Sequence, residues 1–157
     1  TSDEAVESAK SFGAEYSVTM NQTDTYFKVD GLKLKLREIE GKESELIYYK
    51  RDGEDRWQSD YTIAKITDTA NLKQILKNLF GILVEVRKKR ILYLFKNARI
   101  HIDEVENLGS FIEFEVVIHE SADEASDLLK KLRDHFKIED SLVLKESYSD
   151  LLLKKGL

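Results

Sequence analysis

The sequence predicts an α+β domain dominated by an antiparallel sheet, and three observations carry that prediction. Apolar and charged residues alternate in several short runs, the period-2 signature of a half-buried strand. Turn signals such as Asp30-Gly31, Asp52-Gly53 and Asn107-Leu108-Gly109-Ser110 join successive runs, so neighbouring strands should pair as hairpins. Helical spacing is confined to a few segments, the first two of which stop at a glycine. About seven strands and three or four helices are expected.

The elements follow in order. Ser2-Asp3 opens a capped helix that ends at Phe12 before Gly13. Tyr16 to Lys28 is extended, rich in Thr, Val, Tyr and Phe. Leu32-Lys33-Leu34-Lys35-Leu36-Arg37 alternates strictly and is a strand. Ser44 to Arg51 is another, and Tyr61 to Thr67 a more weakly marked third. From Asn71 to Phe80, Leu72, Ile75, Leu76 and Leu79 recur at helical spacing, with Gly81 as the stop. Three extended runs come next: Ile82 to Phe95, Ala98 to Val105 and Phe111 to His119. Ala122 to Phe136 is a long helix with Leu128, Leu129, Leu132 and Phe136 on one face, and Ser147 to Lys155 is a short one.

Composition narrows the class. The 157 residues fit one domain, expected over 1–157, and 41% hydrophobic content excludes disorder. No stretch approaches the ~20 apolar residues of a membrane helix, and no signal-peptide pattern opens the chain. With no cysteine there is no disulfide scaffold, Cys–zinc site or Cys catalysis, which suits a cytoplasmic protein. The absence of proline suits long hairpin-linked strands, whose ladders it would break. A net charge of −5 argues against nucleic acid or anionic membrane as partner. Yet 35% of the residues are charged, well above the usual ~25%.

Those charges are sorted. Side chains at i, i+2 and i+4 of a strand share a face. Lys33, Lys35 and Arg37 thus oppose Leu32, Leu34 and Leu36. Arg99, His101 and Asp103 oppose Ile100 and Ile102, and Glu113 and Glu115 oppose Ile112, Phe114 and Val116. Val86 to Tyr93 sorts only in part, with Lys88 and Arg90 on one face and Arg87 and Lys89 on the other. Two readings remain open on pattern alone. The charged faces are ordinary solvated surface, or they curl inward as a polar cavity in which bases grip phosphate and carboxylates hold a hard cation.

The same segments resemble a known family. Gln22-Thr23-Asp24-Thr25-Tyr26-Phe27, Gly31 to Glu38 and Leu46-Ile47-Tyr48-Tyr49-Lys50-Arg51 are similar to successive strands of the CYTH family, the triphosphate tunnel fold of class IV adenylate cyclases and thiamine triphosphatases. Val86-Arg87-Lys88-Lys89-Arg90 fits its V-x-K-x-R. Arg99 to Glu115 resembles its R-x-H-L-D-x-V-x-x-L-G-x-F-x-E-x-E. Ser59-Asp60-Tyr61 and Tyr148-Ser149-Asp150-Leu151-Leu152 resemble the cyclase-like branch.

The resemblance implies a closed antiparallel β-barrel of about eight strands with helices packed outside, holding a triphosphate and one or two divalent metals. By position, Lys35, Arg37, Lys50, Lys88, Arg90 and Arg99 would be the phosphate clamps, with Lys88 and Arg90 the catalytic pair. Asp103, Glu113 and Glu115 would be ligands of Mg2+ or Mn2+. Lys33 would lie near the tunnel mouth, whereas Arg51 and Lys89 have the opposite parity. Family members open with an E-x-E-x-K strand, which this sequence lacks before Gly13. Either that strand precedes Thr1 in a longer chain, or half the metal site is missing.

Other residues have plainer roles. His101 beside Asp103 reads as structural or substrate-contacting rather than as a general base. His119 and His135 sit at element ends, and Tyr26-Phe27 and Tyr48-Tyr49 read as packing. Trp57 is a loop anchor or a cover for a nucleobase. No serine has a nucleophile-elbow context.

The expected function is a metal-dependent, class IV adenylate cyclase-like conversion of ATP to cyclic AMP and pyrophosphate. The alternatives are a triphosphatase acting on tripolyphosphate or thiamine triphosphate, and a weakly catalytic triphosphate- or polyphosphate-binding module. A homodimer is left open.

Overall fold

A computed structural model describes residues 1–50, 61–119 and 121–157. The Asp52-Gly53 turn, Arg51, Trp57 and Ser59-Asp60 lie outside the described residues. In chain order the elements are α1 (Ser2–Phe12), β1 (Glu15–Phe27), β2 (Leu32–Ile39), β3 (Ser44–Lys50), β4 (Thr62–Ile66), α2 (Thr69–Phe80), β5 (Ile82–Phe95), β6 (Ala98–Val105), β7 (Gly109–Val116), α3 (Ala122–His135), a 3-10 turn (Asp140–Leu142) and α4 (Tyr148–Lys154). The α+β class is as the alternation predicts. The strands are hydrogen-bonded in the order β4-β3-β2-β1-β5-β6-β7. Hairpin neighbours β1–β2, β2–β3, β3–β4, β5–β6 and β6–β7 are antiparallel. No described helix is long and apolar enough to cross a membrane.

The chain divides into two compact units, Thr1–Met20 with Lys88–Ser147 and Asn21–Arg87 with Tyr148–Leu157. Strands β1 and β5 therefore each contribute to both.

In the first unit, α1 is fixed at its start by a reciprocal capping box between Thr1 and Glu4, one residue before the expected Ser2-Asp3 start. Its end turns through Gly13 at φ 95, where Ala14 donates back to the Ala9 carbonyl. Ala5 and Ala9 let the helix approach closely, and they pack with Tyr93, Ile100, Ile102 and Leu132 in one apolar core. Ile91, Ile112, Phe114 and Val116 join it, so the core side of each strand is the apolar set of its alternation. Strand β7 stops at Val116, three residues before the expected His119. Beyond it Val117 turns to the β5–β6 turn, donating to Asn97 O and accepting from Asn97 Nδ2.

In the second unit, α2 lays Leu72 and Leu76 over Phe27, Leu34, Leu36 and Leu46. Lys73 ties the helix to strand side chains through Glu38 at 3.2 Å and Glu85 at 3.3 Å. In both units helices thus pack on the apolar side of the strands, while in the second α4 also reaches the charged side, where Asp150 lies 3.9 Å from Lys33.

Candidate functional site

In the first unit, register puts the charged alternates side by side. Arg90 lies opposite Asp103, Leu92 opposite His101 and Leu94 opposite Arg99. Arg99 faces Glu115, and His101 faces Glu113, on β7. Directly opposed residues project to the same side of an antiparallel pair, so Lys88, Arg90, Arg99, His101, Asp103, Glu113 and Glu115 share one face. Arg90 is 7% exposed and Asp103 is wholly buried. Arg90 Nε and Nη2 donate to Oδ1 and Oδ2 of Asp103, both at 2.7 Å. Nη2 also donates to Glu113 at 3.1 Å. Such charge-assisted forks fix a guanidinium in direction as well as place. Glu113, Glu115 and Arg99 are exposed.

His101 is 7% exposed, and among the described residues neither ring nitrogen has a hydrogen-bond partner; Glu115 lies 3.7 Å from Nε2. Burial, and then the Arg90 guanidinium, push its pKa down to about 4, so the ring is neutral at pH 7.

In the second unit Asp24 lies opposite Arg37, and Tyr26 opposite Lys35. Arg37 Nε and Nη2 donate to the two Asp24 oxygens at 2.9 Å each. Lys35 Nζ is 3.6 Å from Asp24 and 5.6 Å from the ring centres of both Tyr26 and Tyr49. Burial raises both phenols, Tyr49 to about 12, and keeps these hydrogen-bonded hydroxyls protonated. Lys33, half-buried, lies 3.9 Å from Asp150 of α4.

The structure therefore brings Lys35 and Arg37 together in one unit, and Lys88, Arg90, Arg99, Asp103, Glu113 and Glu115 onto one face of the other. Lys50 is set apart. It pairs with Leu32, so strand parity puts it on the apolar side with Leu34 and Leu36, where it is exposed. The solvated-surface reading fails for Lys35, 9% exposed, as it does for Arg90. Asp24, Tyr26 and Tyr49 were not singled out as site residues from sequence. Their signal was the alternation Gln22, Asp24, Tyr26, which puts a carboxylate and a phenol on the face that pairs with the basic strand.

Among the described residues, no three Asp, Glu or His side chains are grouped to hold a metal ion. Glu113 and Glu115 nevertheless fit part of such a site, being exposed carboxylates two residues apart on one strand face. Asp103 fits less well, because Arg90 engages both its oxygens. A Mg2+ ion commonly takes one or two carboxylates and completes its shell with phosphate and water.

A family profile described as the CYTH domain matches residues 1–147. No curated protein matches the chain. Among solved structures, the PH1012 protein of Pyrococcus horikoshii is 20% identical with a TM-score of 0.84, covering 96% of this chain and 93% of that one. The PH1819 protein of the same organism is 26% identical at 0.76, over 98% and 94%. A candidate adenylate cyclase of Vibrio parahaemolyticus is 18% identical at 0.74, over 96% and 91%.

Proposed function

The chain belongs to the CYTH family, and on that premise we propose that it is a metal-dependent enzyme acting on a triphosphate, cyclising ATP to cyclic AMP and pyrophosphate. One observation carries the reading: on the charged faces of their strands the basic side chains of Lys35 and Arg90 are buried and that of Arg37 is half-buried. Burying a cation is costly unless anions lie beside it. Asp24 is shared by Lys35 and Arg37, and Asp103 pairs with Arg90. A polyphosphate is an anion with charge enough to engage several such cations at once. The Vibrio parahaemolyticus protein described as a candidate adenylate cyclase, of like fold, points to the same chemistry.

In this proposal residues 1–157 form one domain whose sheet closes as the family's barrel. Lys35 and Arg37 hold phosphate oxygens, as do Lys88, Arg90 and Arg99; Lys50 has no part. The ribose 3′-hydroxyl oxygen bonds to the α-phosphorus as the bond to the bridging oxygen breaks, and the hydroxyl proton passes to water. Arg90 and Lys88 neutralise charge growing on the departing pyrophosphate. Glu113 and Glu115 would hold a divalent cation, which supplies further positive charge to phosphate oxygens when bound. His101, neutral at pH 7, adds no charge to the face.

Incubation with ATP and with tripolyphosphate, each with Mg2+ or Mn2+, tests the proposal. Cyclic AMP and pyrophosphate are expected in equal amounts. Orthophosphate without cyclic AMP would make the chain a triphosphatase instead.

A further inference from the structure

We infer that Asp24 is a positioning residue, holding Arg37 and Lys35 in the directions from which they take a triphosphate. The inference rests on the triphosphate proposal above and deepens it. Asp24 is 2% exposed, so its carboxylate has exchanged water for protein partners. It takes the Nε–Nη2 edge of Arg37 with two equal 2.9 Å bonds, and Lys35 lies 3.6 Å from its Oδ2.

The geometry follows from register. Asp24 is directly opposite Arg37, while Lys35 is opposite Tyr26, one same-face step along both strands. A carboxylate at this point reaches both cations without bending either strand. It also offsets their mutual repulsion, which would otherwise splay two like charges on one strand face. By engaging the Nε–Nη2 edge, Asp24 directs the Nη1 end of the fork toward any ligand. Tyr26 and Tyr49 bracket the Lys35 ammonium at 5.6 Å and restrict the other long side chain. Long basic side chains lose much rotamer freedom on binding, so fixing them beforehand lowers that cost.

The first unit repeats the device independently. Arg90 and Asp103 are also directly opposed on antiparallel strands and joined by the same Nε–Nη2 fork. Two arginines on separate strand pairs, each held at the same edge by a buried aspartate, point to a shared orienting role rather than to incidental pairing.

The charge of Asp24 and its position act in opposite directions. Removing the negative charge alone would favour an anion, whereas losing the alignment disfavours it. Asp24→Glu keeps the charge and displaces the carboxylate by one methylene, so it isolates position. Tripolyphosphate binding is measured by calorimetry on the full chain for wild type, Asp24→Glu and Asp24→Asn, with thermal unfolding of each unliganded protein recorded in parallel. Wild type should bind, and Asp24→Glu should bind at least tenfold more weakly while still unfolding cooperatively. Asp24→Asn should also bind more weakly despite its added positive charge. In turnover with ATP, KM should rise more than kcat falls, a split that mere loss of folded protein would not give.

Wild-type binding with unchanged Asp24→Glu affinity overturns the positioning role and leaves the triphosphate proposal standing. Tighter binding by Asp24→Asn also overturns it, making the carboxylate a competitor of the ligand. No wild-type binding overturns both. Should Asp24→Asn fail to fold, Asp24→Glu alone decides.

Discussion

His101 is a residue whose setting makes a measurable statement about pH. It is buried, lacks a hydrogen-bond partner at either ring nitrogen among the described residues, and sits on the same face as Arg90. Both burial and the guanidinium oppose a second positive charge, so the folded-state pKa falls to about 4 from 6.5. The unfolded chain then takes up the proton first as pH falls. The neutral-ring contribution is complete above pH 6.5 and is lost progressively toward pH 4. Between pH 7 and pH 5 the linkage amounts to about 2 kcal/mol. Carboxylates titrate in the same range, so the measurement is urea unfolding of wild type against His101→Gln. Wild type should lose about 2 kcal/mol more than the variant over that interval; equal losses would mean the ring is protonated or solvated in the fold. The residue type and parity of His101 were legible in the sequence. Its burial was not, since that depends on Arg90 and Glu113 being brought beside it by pairing with β5 and β7.

At the scale of elements, local chemistry set the helix ends, and the ends make their own prediction. Gly13 closes α1 with φ 95 and ψ 13, a left-handed conformation that an L side chain adopts at a cost. A Cβ added there would meet Phe95 Cε2 at 3.7 Å, an ordinary contact, so packing neither forbids nor rewards it. Gly13→Ala should therefore destabilise by the backbone term alone, about 1 kcal/mol, or roughly 3 °C in Tm. A loss several-fold larger in calorimetry would mean that the helix end also steers α1 onto its core. The same local logic made most elements readable: β5 and β6 run over the residues that alternation and turns assign, and α2 and α4 differ by one or two. Lys50 shows where local pattern ran out. Counting from a turn cannot reveal register, and pairing with Leu32 puts Lys50 on the opposite side from Lys35. Asp24 was hard to see for a related reason. Its alternation with Gln22 and Tyr26 runs through a Thr-rich stretch with no apolar counterpart to mark it, and only the pairing of β1 with β2 sets its carboxylate opposite Arg37.

For the molecule as a whole, a net charge of −5 conceals two populations of charge. One is an ordinary wet surface. The other comprises Lys35, Arg37 and Arg90 with Asp24 and Asp103, folded into strand faces where water is scarce. Composition reports only the sum, and the alternation hinted at the sorting without deciding whether the faces were wet. Burial decides it for Lys35, Arg90, Asp24 and Asp103, whereas Arg99, Glu113 and Glu115 on the face of Arg90 are exposed. The two populations should respond to different polyanions. A duplex or a heparin column meets the outer surface, where an acidic protein gains little from counterion release. A compact triphosphate can instead exchange its hydration for fixed donors. At 50 mM salt the chain should therefore pass through a heparin column, while millimolar tripolyphosphate raises its Tm; a ligand at 100 times its Kd adds about 2.7 kcal/mol to the folded state. The shift should shrink as salt rises, but less steeply than duplex binding would, because buried pairs are screened less than exposed ones. Retention on heparin without a tripolyphosphate shift would place the working basic residues on the outer surface, among Arg87, Lys89 and their neighbours, and not on the faces of Lys35 and Arg90.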